Sequence, residues 1–265
     1  MKGENKKVGK VIGVFNQKGG VGKTTTNVNL SACIAKAGKK VCVIDIDPQG
    51  NTTSGFGVDK NTLEYTAYDI ILGNINIRDV IIHTEFDDLH LIPSSVGLAG
   101  AEIELTNMEN RETKLKKAVN EIREDYDYIF IDCPPSLGLL TINSLTAVDS
   151  VLIPIQCEYY ALEGVGQLMN TIQLVKRNLN PNLEIQGVVL SMFDGRTNLS
   201  IQVVDEVKNY FKGKVYTTII PRNVRLAEAP SHGRPIIHYD KRSRGAEAYT
   251  ELAEEFLYLE EEDVI

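Results

Sequence analysis

The 265-residue chain is expected to fold as a single-domain α/β protein, a mostly parallel, doubly wound sheet with helices on both faces. Three observations lead there. Apolar, strand-like runs recur from residue 11 to residue 220, with helical stretches between them. A glycine-rich stretch stands where the first such run gives way to the first helix. No Pro/Gly/Ser-rich linker, internal repeat or low-complexity tract divides the chain, and at 43% hydrophobic and 24% charged residues it can bury a substantial core.

Val11-Ile12-Gly13-Val14-Phe15 reads as a buried strand, and Thr24 to Lys36 as a helix that Gly38 closes. Between them, Lys18-Gly19-Gly20-Val21-Gly22-Lys23-Thr24-Thr25 packs three glycines, two lysines and paired threonines into eight positions. Glycines permit the backbone angles of a tight strand-to-helix turn and bring peptide N–H groups close to oxyanions, while the helix points its positive end at the charge. In such a cradle Lys23 reaches the outer phosphates of ATP and the Thr24 hydroxyl ligates Mg²⁺.

The usual pattern, G-x-x-x-x-G-K-[ST], places a glycine where this chain has Gln17, and an additional lysine, Lys18, follows it. Asn16 to Thr25 resembles the deviant Walker A loop of the ParA/Soj chromosome- and plasmid-partitioning ATPases, within the wider group that includes MinD and the nitrogenase iron protein. The resemblance runs from about residue 10 to residue 258. It implies a P-loop NTPase fold of the deviant-Walker type, Mg²⁺-dependent ATP hydrolysis with slow intrinsic turnover, and a homodimer when ATP is bound. In that dimer Lys18 crosses to the phosphates held by the other subunit. It further implies non-specific DNA binding, a ParB/Spo0J-type centromere-binding partner and a cytoplasmic, nucleoid-associated location.

Lys40 to Asp47 reads as a second buried strand ending in two carboxylates, Asp45 and Asp47. Alternate residues share a face, so both point the same way at the strand end, where open α/β sheets bind ligands. The resemblance makes Asp47-Pro48-Gln49-Gly50-Asn51 part of a switch in which Asp47 positions the attacking water, with Asp45 nearer the Mg²⁺ water shell. Residues 52 to 88 read as a connection with short helices at Ala67 to Leu72 and Ile77 to Ile82 and no chemistry of their own, His83 and His90 lacking partners at ligand spacing. Leu89 to Ile92 is a short strand, and Ala99 to Arg123 one or two amphipathic helices.

Tyr128 to Asp132, stopped by Pro134 and Pro135, is a buried strand with a carboxylate at its C-terminal end. That is the Walker B pattern, in which Asp132 holds the Mg²⁺ water shell. Ser136 to Thr141 resembles the family's second switch. A strand at Val151 to Ile155 leads into Tyr159 and Tyr160, which fit either a subunit interface or core packing. A helix from Val165 to Asn178 and strands at Gly187 to Phe193 and Val215 to Ile220 complete the alternation. By resemblance the ends of these last strands flank the adenine, with Met192 and Pro221 as apolar contacts and Arg196 open to nucleotide or DNA.

The net charge of −8 looks wrong for a nucleic-acid binder, but residues 247 to 265 alone carry −8 and the remainder is neutral. Residues 222 to 244 hold a local +4. Arg222, Arg225, Arg234, Lys241, Arg242 and Arg244, together with Arg196, are therefore the candidate DNA contacts. Three segments are expected: a flexible basic N-terminus over 1–10, an ATPase domain over 11–258 and an acidic tail over 259–265.

No export signal or run of 18 apolar residues is present, and Cys33, Cys42, Cys133 and Cys157 have the spacing of buried free thiols in a reducing compartment. A MinD-like membrane ATPase would end in a basic amphipathic helix, whereas this chain ends acidic. An iron-protein reductase would need a second switch-loop cysteine. A P-loop phosphotransferase or synthetase of small-molecule metabolism remains the alternative function.

Overall fold

A computed structural model describes residues 8–159, 161 and 164–262. In chain order the strand β1 (Lys10–Val14) leads to α1 (Lys23–Lys36), β2 (Val41–Asp45), α2 (Asn51–Gly55) and α3 (Ala67–Leu72). Then come β3 (Ile82–His83), β4 (Leu89–Ile92), α4 (Leu98–Leu105), α5 (Lys114–Ile122), β5 (Tyr128–Asp132) and α6 (Leu139–Ala147). The last third holds β6 (Ser150–Gln156), α7 (Val165–Asn178), β7 (Glu184–Phe193), α8 (Asn198–Phe211) and β8 (Val215–Pro221), then α9 (Val224–Glu228), α10 (Ile236–Tyr239) and α11 (Arg244–Glu262).

The eight strands form one sheet in the order β3-β4-β2-β5-β1-β6-β7-β8, parallel throughout except for the β3–β4 edge pair. The doubly wound single domain expected from the sequence is therefore the fold observed. Because β1 and β5 are buried on both faces, their side chains alternate between two cores. Val11, Ile129 and Ile131 pack beneath α3 to α8, while Ile12, Tyr128 and Phe130 pack beneath α1, α10 and α11. On α11, Tyr249, Leu252 and Phe256 recur at helical spacing and are buried. Phe256 sets its ring 5.3 Å from Tyr128 and 6.1 Å from Phe130.

Lys10 opens β1, and its ammonium pairs with Glu260 at 2.6 Å. Residues 259 to 262, expected in a tail, form the end of α11, where Glu260 accepts from Lys10 at 2.6 Å and from Gln186 at 2.7 Å. Residues 1–7 and 263–265 lie outside the described residues. The stretch from Ala99 to Arg123 resolves into two helices, α4 and α5, followed by a 3-10 turn.

Candidate functional site

With β1 at the sheet's centre and β5 and β6 at its sides, every strand-end loop that carries a candidate residue opens on the carboxyl edge of the sheet. The loop after β1 turns through Gly20 (φ 76) and Gly22 (φ 90), both left-handed and closed to ordinary side chains. Gly22 starts α1 without a side-chain cap, and no acidic residue occupies the first turn. The orphan N–H groups at that end are thus left for an anion, and the helix dipole favours one. Lys23 is buried, with its Nζ donating to the Lys18 carbonyl at 3.1 Å. Burial lowers its pKa, and the charges of Asp132, Cys133 and Asp47 oppose that shift. The Lys18 N–H donates to Asn16 Oδ1 at 3.0 Å, which sets the start of the loop.

Asp45 and Asp132 stand opposite one another in the β2–β5 register, both essentially inaccessible. Thr24 donates its hydroxyl to Asp132 Oδ2 at 2.8 Å, and Asp132 Oδ1 has no hydrogen-bond partner among the described residues. A buried carboxylate oxygen left open beside a P-loop threonine fits the water shell of a Mg²⁺ ion, which keeps several waters and takes few protein ligands. Among the described residues no group of three or more His, Cys, Asp or Glu side chains could hold a metal alone. Burial, more than any neighbour, pushes the Asp132 carboxyl up, against the hydroxyls of Thr52 and Thr24.

Asp45, expected near the Mg²⁺ water shell, is tied into the chain by its own hydrogen bonds. Its Oδ2 accepts from the Thr53 N–H at 2.8 Å and the Thr53 hydroxyl at 2.7 Å, and its Oδ1 from the Asp47 N–H at 3.2 Å. Both oxygens are engaged inside the chain, so its hydrogen bonds describe an anchor for the Asp47 loop. Burial first, then the Asp132 charge, raises its pKa. Asp47 lies at the end of this anchored turn, 9% exposed, with Oδ1 accepting from the Gln49 N–H at 2.9 Å.

Thr52 and Thr53 fall in a stretch read as free of chemistry, yet Thr52 donates to Asp132 Oδ2 at 2.7 Å across 80 positions of sequence. No local pattern marks them. His83 and His90, read as lacking partners at ligand spacing, face one another across the β3–β4 pair with ring centroids 4.1 Å apart, and His90 Nδ1 meets the Tyr126 hydroxyl at 2.8 Å.

Met192 and Pro221, expected beside the adenine, line one cavity of about 180 Å³ with Gly22, Thr25, Asn223 and Tyr249. Met192 adopts a left-handed φ of 53, unusual for a non-glycine residue, at the end of β7. Ser191 fixes that end to the P-loop by donating to the Val21 carbonyl at 2.8 Å. Tyr249 comes from α11, in a stretch the sequence marked only by its acidic charge, and its hydroxyl lies 3.2 Å from Thr26 Oγ1.

The basic segment is less cationic in space than along the chain. Arg196 forks onto Asp194 at 2.8 and 2.6 Å, Arg222 pairs with Glu158 at 3.2 Å and Arg234 with Glu85 at 3.3 Å. Arg225 meets Glu228 at 2.8 Å and Asp240 at 3.5 Å. Lys241, Arg242 and Arg244 are exposed and form no ion pair among the described residues. Exposed pairs of this kind are weak, so an incoming phosphate can displace the carboxylates. Tyr159 is 74% exposed, which argues against core packing for it; Tyr160 lies outside the described residues.

A family model described as an AAA domain matches residues 9–185. The chain is 61% identical over 248 residues to the sporulation initiation inhibitor protein Soj of Bacillus subtilis, covering 94% of this chain and 98% of that one. It is 52% identical over 250 residues to the chromosome partitioning protein ParA of Myxococcus xanthus, covering 94% and 88%. Among solved structures it resembles cobyrinic acid a,c-diamide synthase from Mycobacterium smegmatis with a bound ATP analog and magnesium, with TM-score 0.82, 37% identity and 93% of each chain covered. With the deviant P-loop at Lys18, the strand-end aspartates and the parallel sheet in place, this chain belongs to the ParA/Soj family of chromosome-partitioning P-loop ATPases.

Proposed function

We propose that the chain is a DNA-partitioning switch that dimerises around Mg²⁺-ATP, binds DNA without sequence preference and leaves it when a ParB-type partner stimulates hydrolysis. The observation that carries this reading is the loop itself: Lys18 precedes an uncapped helix end at which the buried Lys23 folds back on the Lys18 carbonyl and the half-buried Thr24 donates to the Asp132 carboxylate. Lys23 and the free N–H groups of α1 hold the outer phosphates, Thr24 ligates the metal, and Asp132 receives its water shell through Oδ1. Bound Mg²⁺ would neutralise charge developing on the phosphate oxygens. Asp47 orients the attacking water. Lys18, near the mouth of the loop, serves the other subunit's phosphates, so that only the dimer is complete.

The cavity lined by Met192 and Pro221 is the proposed adenine site, being continuous with Gly22 and Thr25 of the cradle. DNA binding is assigned to Lys241, Arg242 and Arg244, with Arg196, Arg222, Arg225 and Arg234 recruited from their ion pairs. A two-fold dimer doubles this surface. Through it the protein would associate with the nucleoid. None of the described helices is long and apolar enough to cross a membrane. The acidic end of α11 also disfavours anionic lipid.

The likeness to the diamide synthase favours a second reading, a P-loop synthetase, although 37% identity weighs less than 61%. One experiment separates them: DNA binding and sedimentation measured in parallel with ATP, with ADP and without nucleotide. A dimer that binds DNA with ATP alone is expected. ATP turnover that is rapid and indifferent to DNA would transfer the case to the synthetase.

A further inference from the structure

The helix α2 is five residues long, too short to persist by its own hydrogen bonds, so its place is set by what its side chains grip. Its first turn grips both strand-end carboxylates at once. Thr53 donates to Asp45 Oδ2 at 2.7 Å and Thr52 to Asp132 Oδ2 at 2.7 Å, and those two aspartates are register partners on adjacent strands. Thr52 is fully buried. It shares Asp132 Oδ2 with Thr24, the metal-ligating hydroxyl of the P-loop, and leaves Oδ1 open.

We infer that Thr52 is a positioning residue that couples Mg²⁺ loading to the placement of the Asp47 loop. Its hydroxyl holds the Asp132 carboxylate in the orientation that presents Oδ1 to the metal's water shell, and the same bond pins α2. Asp47 stands five positions upstream, tied to the start of α2 by the Gly50 N–H donating to the Asp47 carbonyl at 2.8 Å. A metal that draws on Asp132 therefore acts on the segment carrying Asp47 through one hydrogen bond. This inference concerns the ATPase site alone and stands whether or not the protein partitions DNA.

The test uses the full chain with Thr52→Val, which keeps the shape and removes the donor, and Thr52→Ser, which keeps the donor. Binding of a slowly hydrolysed fluorescent ATP analogue is titrated against Mg²⁺ and repeated in EDTA, and amide exchange over residues 46–57 is followed in both conditions. For Thr52→Val the Mg²⁺ concentration at half-maximal binding is expected to rise about tenfold, the scale of one hydrogen bond to a charged group. Its affinity in EDTA should match the parent. Protection of 46–57 that the parent gains with Mg²⁺ should be lost in the Val variant and restored in the Ser variant.

A purely structural role for the hydroxyl would lower the melting temperature without moving the Mg²⁺ midpoint. A parental midpoint and parental protection in Thr52→Val would overturn the inference. If Thr52→Val does not fold, Thr52→Ser decides: a midpoint shifted as far as tenfold despite the retained donor would equally overturn it, and a parental one would support it. Failure of the unmodified protein to bind the analogue in either condition would instead sink the nucleotide site itself.

Discussion

Gly57 and Gly233 meet backbone against backbone: a Cβ on Gly233 would stand 2.5 Å from Gly57 Cα, and one on Gly57 2.9 Å from the Gly233 carbonyl oxygen. Both residues are left-handed, at φ 77 and 63. Gly57 follows α2, whose threonines hold Asp45 and Asp132, and Gly233 lies in the turn before Arg234. The nucleotide switch and the basic segment therefore share a contact that no side chain can enter.

Gly233→Ala is expected to force the two segments apart and to strain a left-handed residue, at a combined cost of about 2 kcal/mol in stability. Mg²⁺-ATP binding should survive, because the P-loop is untouched, while ATP-dependent DNA affinity falls. Urea unfolding and DNA titration on the same preparation check both halves. Parental DNA affinity in the folded variant would remove the contact from the coupling.

Lys18 and Asp47 should separate dimerisation from hydrolysis. Lys18→Ala is expected to bind ATP within one subunit but stay monomeric, having lost the group that reaches the other subunit's phosphates. Asp47→Ala should bind ATP, dimerise and stall, since no carboxylate orients the water. Sedimentation at saturating ATP distinguishes them, and a monomeric Asp47→Ala protein would contradict the division.

What was legible in the chain is what is written locally. Continuous apolar runs gave β1, β2, β5 and β6 because a parallel strand is buried on both faces, and the cradle at Lys18 to Thr25 needs only contiguous residues. Asp132 could be found because a strand followed by two prolines has a definite end. Thr52 could not, since its partner lies 80 residues away and a threonine in a polar stretch carries no periodic signal. The pairing of the basic segment was hidden for the same reason: Glu85 and Glu158 reach Arg234 and Arg222 through the fold, not along the sequence.

Asn27 is fully buried on α1, and neither its Oδ1 nor its Nδ2 has a hydrogen-bond partner among the described residues. An apolar residue of similar size removes the desolvation penalty of two polar atoms. Asn27→Leu is expected to stabilise the nucleotide-free protein by about 1 to 3 kcal/mol, read from the urea midpoint. A lower midpoint would mean that the amide has a role which the fold alone does not reveal.

Burial lowers the pKa of half-buried His90, helped by His83 and Lys40 and opposed by Asp88. The unfolded chain then takes up a proton at higher pH than the folded one, so His90 contributes stability that is lost as pH falls below about 6.5. One full proton of difference corresponds to about 1.4 kcal/mol per pH unit, and solvent screening at a half-buried ring leaves a fraction of that. His90→Gln should therefore show a shallower loss of stability between pH 6.5 and 5 than the parent. Identical slopes would contradict the assignment.

The measurement closest to the central claim is a salt titration of DNA binding by the Asp47→Ala protein held in ATP. Log affinity is expected to fall steeply and linearly with log salt, by about 0.9 per phosphate neutralised, with the same slope on unrelated duplexes and no binding in ADP. Lys241→Ala or Arg242→Ala should lower the slope by about one and weaken every sequence alike, leaving ATP binding intact. If the ATP-bound protein shows no salt-sensitive DNA binding, the partition-switch account is wrong.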